Sequence, residues 1–185
     1  MPRNSDKHER LVEAAKHLIH QQGFGQTTLA DIAEESGVPL GNVYYYFKTK
    51  DDIASAVIDE HMREFRALAA EWEKQPDPKR RLLAFLDMPS AMRDTVASHG
   101  CPVGSLAQEL NKEHSPLAQQ ADNLLKAHLD WVRKQFRELG RADADDLGLQ
   151  MIATLQGVSL LCNALRDPVI VDRQIKRLRV WLEAL

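Results

Sequence analysis

The stretch TTLADIAEESGVPLGNVYYYFKTKDD, residues 27–52, carries two short apolar patterns separated by a tight link. Leu29, Ile32 and Ala33 recur at i, i+3 and i+4, the spacing of one buried helix face. Thr28 precedes them and Asp31 follows three residues later, a capping-box pattern that starts a helix. Gly37 ends it, Gly-Val-Pro makes the link, and a second helix opens near Leu40. The expected helices span 28–36 and 40–46. Joined this way they form a helix-turn-helix, whose second helix can enter a DNA major groove. An ordinary helical hairpin has the same spacing, so residue choice has to separate the two.

The run Tyr44-Tyr45-Tyr46 does so. Helical residues turn by about 100° each, so three in a row fan over roughly 200° and cannot share one buried face. Val43 and Phe47 face the core. Tyr44 is expected at the core's edge with its hydroxyl outward, and Tyr45 and Tyr46 point away. Exposed rings are costly unless a partner covers them. Their hydroxyls, with Lys48 and Lys50, suit phosphate oxygens. Lys50 falls in the first turn of the next helix, where free N–H groups attract an anion. Gly41 leaves room for close approach. Leu40 and Asn42, at the open end of the second helix, are placed to touch base edges, asparagine favouring adenine.

Outward from this stretch the periodicity stays helical. Leu11, Ala14, Ala15, Leu18 and Ile19 mark a preceding helix, ended by Gly23. Thr49, with Asp52 as its N3 partner, caps a long helix from about 50 to 74 that faces Ile53, Val57, Ile58, Phe65 and Leu68 inward. QPDP at 75–78 breaks it. Further helices are expected at about 78–97, 102–111, 116–139, 143–166 and 168–184, with Pro89 kinking or splitting the first. No strand shows convincing alternation. The expected fold class is all-α: a three-helix DNA-binding domain over 1–50, and a helical bundle over 51–185 for ligand binding and dimerisation, connected by the 50–74 helix.

Composition sets bounds. The chain has 185 residues, 44% of them hydrophobic, and a net charge of −3. A polyanion must therefore be met by a local patch. Over residues 1–50 the acids balance the bases, so that patch comes from geometry; Arg3 and Lys7 are either an arm toward DNA or a solvated tail. Cys101 and Cys162 have no metal or redox spacing and are expected as free thiols in a reducing cytoplasm. The polar N-terminus is no signal peptide, and no apolar run is expected to reach the ~20 residues that cross a bilayer. A cytoplasmic protein without a membrane partner is expected. There is no G-x-S-x-G, no H-E-x-x-H and no phosphate-cradling glycine loop, and His99 with Cys101 lacks further metal ligands. No enzyme activity, cofactor or metal is expected.

Thr27, Thr28, Leu29, Ile32, Ala33, Gly37, Val38, Gly41, Val43, Tyr44, Tyr46, Phe47, Lys50, Asp51 and Ile53, with Leu11, Ala14 and Phe24, resemble the DNA-binding signature of the tetracycline-repressor (TetR) family. Ser36 departs from the family's usual alanine and is also small. The resemblance implies a helical homodimer that binds a palindromic double-stranded operator and is released by a small-molecule inducer. By position it implies that Thr27, Thr28, Tyr46 and Lys50 hold phosphates, and that Leu40, Gly41, Asn42 and Tyr45 face the groove.

The two last long helices are the expected homodimer interface, about 143–185. Leu149, Ile152, Ala153, Leu155, Val158, Leu160, Leu161 and Leu165 cover more than one face, Gly157 permits close approach, and Ile175, Leu178, Trp181, Leu182 and Leu185 form a second stripe. The same residues would also fill a monomer core. Arg173, Lys176, Arg177 and Arg179 read as a solvated face. Ligand contacts are expected among Trp72, Met88, Met92, His99, Cys101, Leu106, His128, Trp131 and Gln156, polar or aromatic residues on apolar helices, each of which also reads as core. Pro102 suits N1 of a helix and puts Cys101 near its N-cap, where a thiolate is favoured. The motif G-C-x-x-G-x-L, residues 100–106, resembles a branch of the family whose members respond to reactive carbonyl compounds or small unsaturated acids. Cys101 is then either a reactive sensor or a small buried thiol.

Overall fold

The computed structural model describes residues 3–185, with side chains from Asp6 onward, so the Arg3 side chain lies outside the described residues. The elements are α1 (Arg3–Gln22), α2 (Leu29–Ser36), α3 (Leu40–Tyr46), α4 (Lys50–Trp72), α5 (Pro78–Phe85), α6 (Asp87–Ala91), α7 (Arg93–His99), α8 (Pro102–Lys112), α9 (Ala118–Glu138), α10 (Ala144–Leu165) and α11 (Val169–Glu183). No strand occurs among the described residues, as the sequence predicts.

Two compact units divide the chain. The first takes residues up to Arg63 together with Ser105–Leu124; the second takes Glu64–Gly104 and Leu125–Leu185. The expected functional boundary at residue 50 falls at the first residue of α4, while compactness divides the chain further along that helix.

In the first unit, Leu11, Ala15, Ile32, Val43, Ile53, Val57 and Leu110 are fully buried, each large side chain contributing roughly 2 kcal/mol of transfer free energy. Thr28 caps α2: its hydroxyl accepts the Asp31 N–H at 3.2 Å, and the Asp31 carboxylate accepts the Thr28 N–H at 2.9 Å. Gly37 closes α2 at φ 63°, a conformation that favours glycine. Arg10 donates to the Ser36 carbonyl and ties α1 to the turn. Thr49 and Asp52 form a second reciprocal cap at the start of α4, with N–H contacts of 3.1 and 2.9 Å. Lys48 N–H also donates to Asp52 at 2.9 Å.

The second unit packs around Leu82, Phe85, Leu86, Val132, Phe136, Met151 and Leu182. The helix expected over 78–97 is instead three, interrupted at Leu86 and Met92. Pro89, within α6, offers no N–H to the carbonyl of Phe85 four residues back, so the helical ladder from α5 is broken there. The expectation about apolar runs is corrected too: α10, 22 residues, is long and apolar enough to cross a bilayer by length and composition only. Its Met151, Ile152, Leu155, Val158 and Cys162 are core residues of this unit, which accounts for that composition. In α11, Ile175, Leu178 and Leu182 are buried in the same core, and Trp181 meets Phe136 edge-on at 6.0 Å. This stripe serves the monomer, not a free face. Arg173, Lys176 and Arg177 are exposed, whereas Arg179 pairs with Asp87.

Candidate nucleic-acid interface

α3 buries Val43 and turns Leu40, Tyr44 and Tyr45 outward. Leu40 is exposed, Tyr44 is 48% exposed and Tyr45 is 68% exposed. A side chain at Gly41 would meet nothing within 4 Å, so that turn is open. Asn42 is half-buried beside it. The pair pointing away from the core is thus Tyr44 and Tyr45, correcting the expected Tyr45 and Tyr46. Tyr46 leans toward α1, where the His8 ring meets it edge-on at 6.0 Å and tilts over Phe47 at 5.1 Å. The first turns of α1 cover that side of α3. Tyr45 and Tyr46 also meet at right angles, 5.1 Å apart.

Two of the expected phosphate contacts have other partners. Thr27 is fully buried, its hydroxyl donating to the Gly23 carbonyl at 2.8 Å and its N–H to Phe24. It shapes the α1–α2 loop and has no surface to offer a phosphate. Lys50 is half-buried and its ammonium donates to the Phe24 and Gly25 carbonyls, at 2.8 and 3.1 Å. It locks the same loop. Thr28 is exposed and its cap bond uses the hydroxyl as acceptor, leaving the O–H to donate outward. Lys48 is exposed and donates to the Tyr44 carbonyl at 2.6 Å, leaving ammonium hydrogens for an anion. The capping bonds from Thr49 and Lys48 hold the Asp52 carboxyl below the usual carboxylate range. A groove of about 660 Å³ bounded by α1 and α4 is lined by Glu9, Glu13, Asp59 and Glu60, with Arg10 and Arg63. Acids outnumber bases along that groove, so it is a poor surface for phosphate.

The expected ligand residues fall into groups. Trp72, His128 and Trp131 share an aromatic cluster with Phe65 and Phe85: His128 stacks on Phe65 at 3.8 Å, and Trp72 and Trp131 are 5.1 Å apart. Glu73 Oε1 accepts from Trp131 Nε1 at 3.0 Å and from Lys134 Nζ at 2.7 Å. These bonds, that from Lys134 foremost, lower the Glu73 carboxyl from its ordinary value. Met88 and Met92 pack half-buried against the same core. Cys101 and Gln156 form a separate pair: the thiol accepts from Gly104 N–H at 3.4 Å and Gln156 Nε2 at 3.6 Å. The cap at Cys101 follows the expected pattern, and a Cβ at Gly104 would stand 2.3 Å from Gln156 Oε1. Leu106 is buried and belongs to the first unit, and His99 is half-buried at the end of α7. Phe85 and Glu73 were not singled out from sequence, and Phe65 was read only as an inward-facing core residue; Phe65 and Trp72, seven apart, carried a same-face signal. Cys162 is a core thiol whose burial pushes its titration upward.

α10 keeps a second outward apolar face. Leu149, Leu160, Leu161 and Leu165 are exposed, Leu160 by 66%. With exposed Ala153 and Ala164 they recur at helical spacing along one stripe. Gly157 lies on it, and a Cβ there would meet nothing within 4 Å. Val169 and Val180 of α11 are exposed as well.

Comparison with known proteins agrees with this geometry. Residues 11–57 match the family described as bacterial regulatory proteins, tetR family, and residues 78–176 match the C-terminal domain of LmrA/YxaF-like transcriptional regulators. The HTH-type transcriptional regulator LmrA of Bacillus subtilis is 29% identical over 161 residues, 84% of this chain and 86% of its own. TtgR of Pseudomonas putida is 26% identical over 160 residues, 80% of this chain and 76% of its own. A TetR transcriptional regulator from Chloroflexus aurantiacus has the same fold, with a TM-score of 0.85 at 23% identity across 99% of this chain and 97% of that one.

Proposed function

The chain belongs to the TetR family of bacterial transcriptional regulators, and on that premise we propose that it is a repressor that binds a palindromic operator as a homodimer and is released by a small molecule. The observation that carries the reading is the outward face of α3, where Leu40, Tyr44 and Tyr45 stand exposed around an open Gly41. Apolar and hydroxyl-bearing groups of this kind suit base edges and phosphates, and Asn42 suits adenine. Thr28 and Lys48 would hold the flanking backbone. Two such heads on a two-fold dimer would sit about 34–36 Å apart, one helical turn of DNA. The α10 leucine stripe supports an isologous contact with a second copy.

The ligand would be apolar or weakly polar, bound near the Trp72–Trp131 cluster or near Cys101 and Gln156. It would act by favouring one tilt of α4, limited to its differential affinity for the two states. A duplex selected from a random pool tests the first part: it should shift as one complex with two protomers, with affinity falling steeply in salt. Equal binding to a scrambled duplex would rule out a specific operator. Maleimide treatment of wild type and Cys101→Ser tests the sensor alternative, which is lost if release of DNA persists in the variant.

A further inference from the structure

The α1–α2 loop is gripped on two sides by charged side chains. Glu109 of α8 accepts two consecutive backbone N–H groups, from Phe24 at 2.8 Å and Gly25 at 2.6 Å. Lys50 takes the carbonyls of the same two residues and lies 4.2 Å from the centroid of the Phe24 ring. All of these groups belong to the first unit. Successive N–H groups converging on one anion form a nest, and here the protein's own carboxylate fills it. A Cβ at Gly23 or Gly25 would stand 3.2 Å from Glu109 Oε1, so the glycines let the backbone close on that oxygen.

We propose that Glu109 is a positioning residue for DNA recognition. It fixes where α1 ends and α2 begins, and through α2 it sets the angle at which α3 is presented. The DNA-reading unit is then made from two stretches of chain, residues up to 63 and 105–124, rather than from the N-terminal stretch alone. The electrostatics sharpen the point. A carboxylate on the DNA-reading unit repels phosphate, so as a bare charge it lowers affinity. Only the positioning role makes its removal harmful. The inference rests on the DNA-binding reading of α3.

The test uses the full-length chain and a duplex selected from a random pool by the wild-type protein. Kd is measured at several salt concentrations for wild type, Glu109→Gln, Glu109→Ala and Gly25→Ala, each corrected for its binding-competent fraction. Hydrogen exchange follows the Phe24 and Gly25 amides. Glu109→Ala is expected to weaken binding about tenfold, a fraction of the two lost charge-assisted bonds being felt at α3. Glu109→Gln should fall between, since it keeps one acceptor. Gly25→Ala, which crowds the carboxylate, should repeat the loss. The salt slope should stay unchanged, because no phosphate contact is removed, and the two amides should exchange faster. Unchanged or tighter binding by the glutamine variant, unaltered exchange, or a loss that vanishes after correction for competent protein would overturn the proposal. Failure of wild type to select any duplex would instead overturn the operator reading.

Discussion

α3 and α10 both leave large apolar side chains in water, and the chemistry around them differs. On α3 the exposed groups are Leu40 and two tyrosines, which carry hydroxyls, with Lys48 at the helix end and Gly41 open to backbone approach. On α10 they are leucines and alanines along one stripe, with an open glycine in the middle. A mid-helix glycine costs about 1 kcal/mol relative to alanine, and no contact within the chain requires it here. The first surface suits a hydrated polyanion, the second an apolar copy of itself. Exposure marks both faces, and the accompanying polar groups are what set the two proposed readings apart.

The largest effect is expected where a face is used twice. Leu161→Glu puts a charge into the α10 stripe, and two-fold symmetry doubles the penalty. At about 2 kcal/mol per copy, dimerisation should weaken roughly a thousandfold. Analytical ultracentrifugation should show monomers with an unchanged helical spectrum, and operator binding should fall with dimerisation. A variant that stays dimeric would place the interface elsewhere. Tyr45→Ala should cost operator binding about tenfold while leaving thermal stability unchanged, because the ring is 68% exposed and holds little of the fold. Loss of stability instead would make α3's outer face structural and erase the contrast with α10.

The two lysines beside α3 separate a phosphate contact from a structural staple. Lys48→Ala should flatten the salt dependence of binding by about one unit of slope. Lys50→Ala should leave the slope alone and cost about 1–2 kcal/mol of stability in denaturant melts, through lost bonds to Phe24 and Gly25 and the lost ring contact. A slope change at Lys50 would restore it as a phosphate contact.

Local signals carried much of this architecture. The caps at Thr28 and Thr49, the left-handed Gly37 and the α3 span were legible because each depends on residues within a few positions. Pro89 was legible as a disturbance, though not as a pair of breaks at Leu86 and Met92. Long-range partners were not legible. Lys50 looks like an anion binder in sequence because its carbonyl partners, Phe24 and Gly25, lie far back along the chain, and Glu109 reaches that loop from more than eighty residues away. Periodicity reported that α10 has too much apolar surface for one face. It could not say which leucines the core would take, because that depends on what α11 and α7 bring against it.

The smallest expected effect lies in the second unit, and pH reports it. Glu73 accepts from Trp131 and Lys134, and those bonds lower its carboxyl below the ordinary 4.5. A carboxyl whose titration is depressed by folding adds stability that is fully present above its unfolded value. That stability is lost as pH falls through the lower folded one. The loss should therefore begin below about pH 4.5 and amount to less than about 1 kcal/mol, since the pair is open to solvent. Trp131 fluorescence should change over the same range as its indole N–H loses the carboxylate. Glu73→Gln should remove that transition and leave operator binding at neutral pH as it was. If the variant alters DNA binding as well, the aromatic cluster feeds into α3, and the two exposed faces are no longer independent surfaces of one chain.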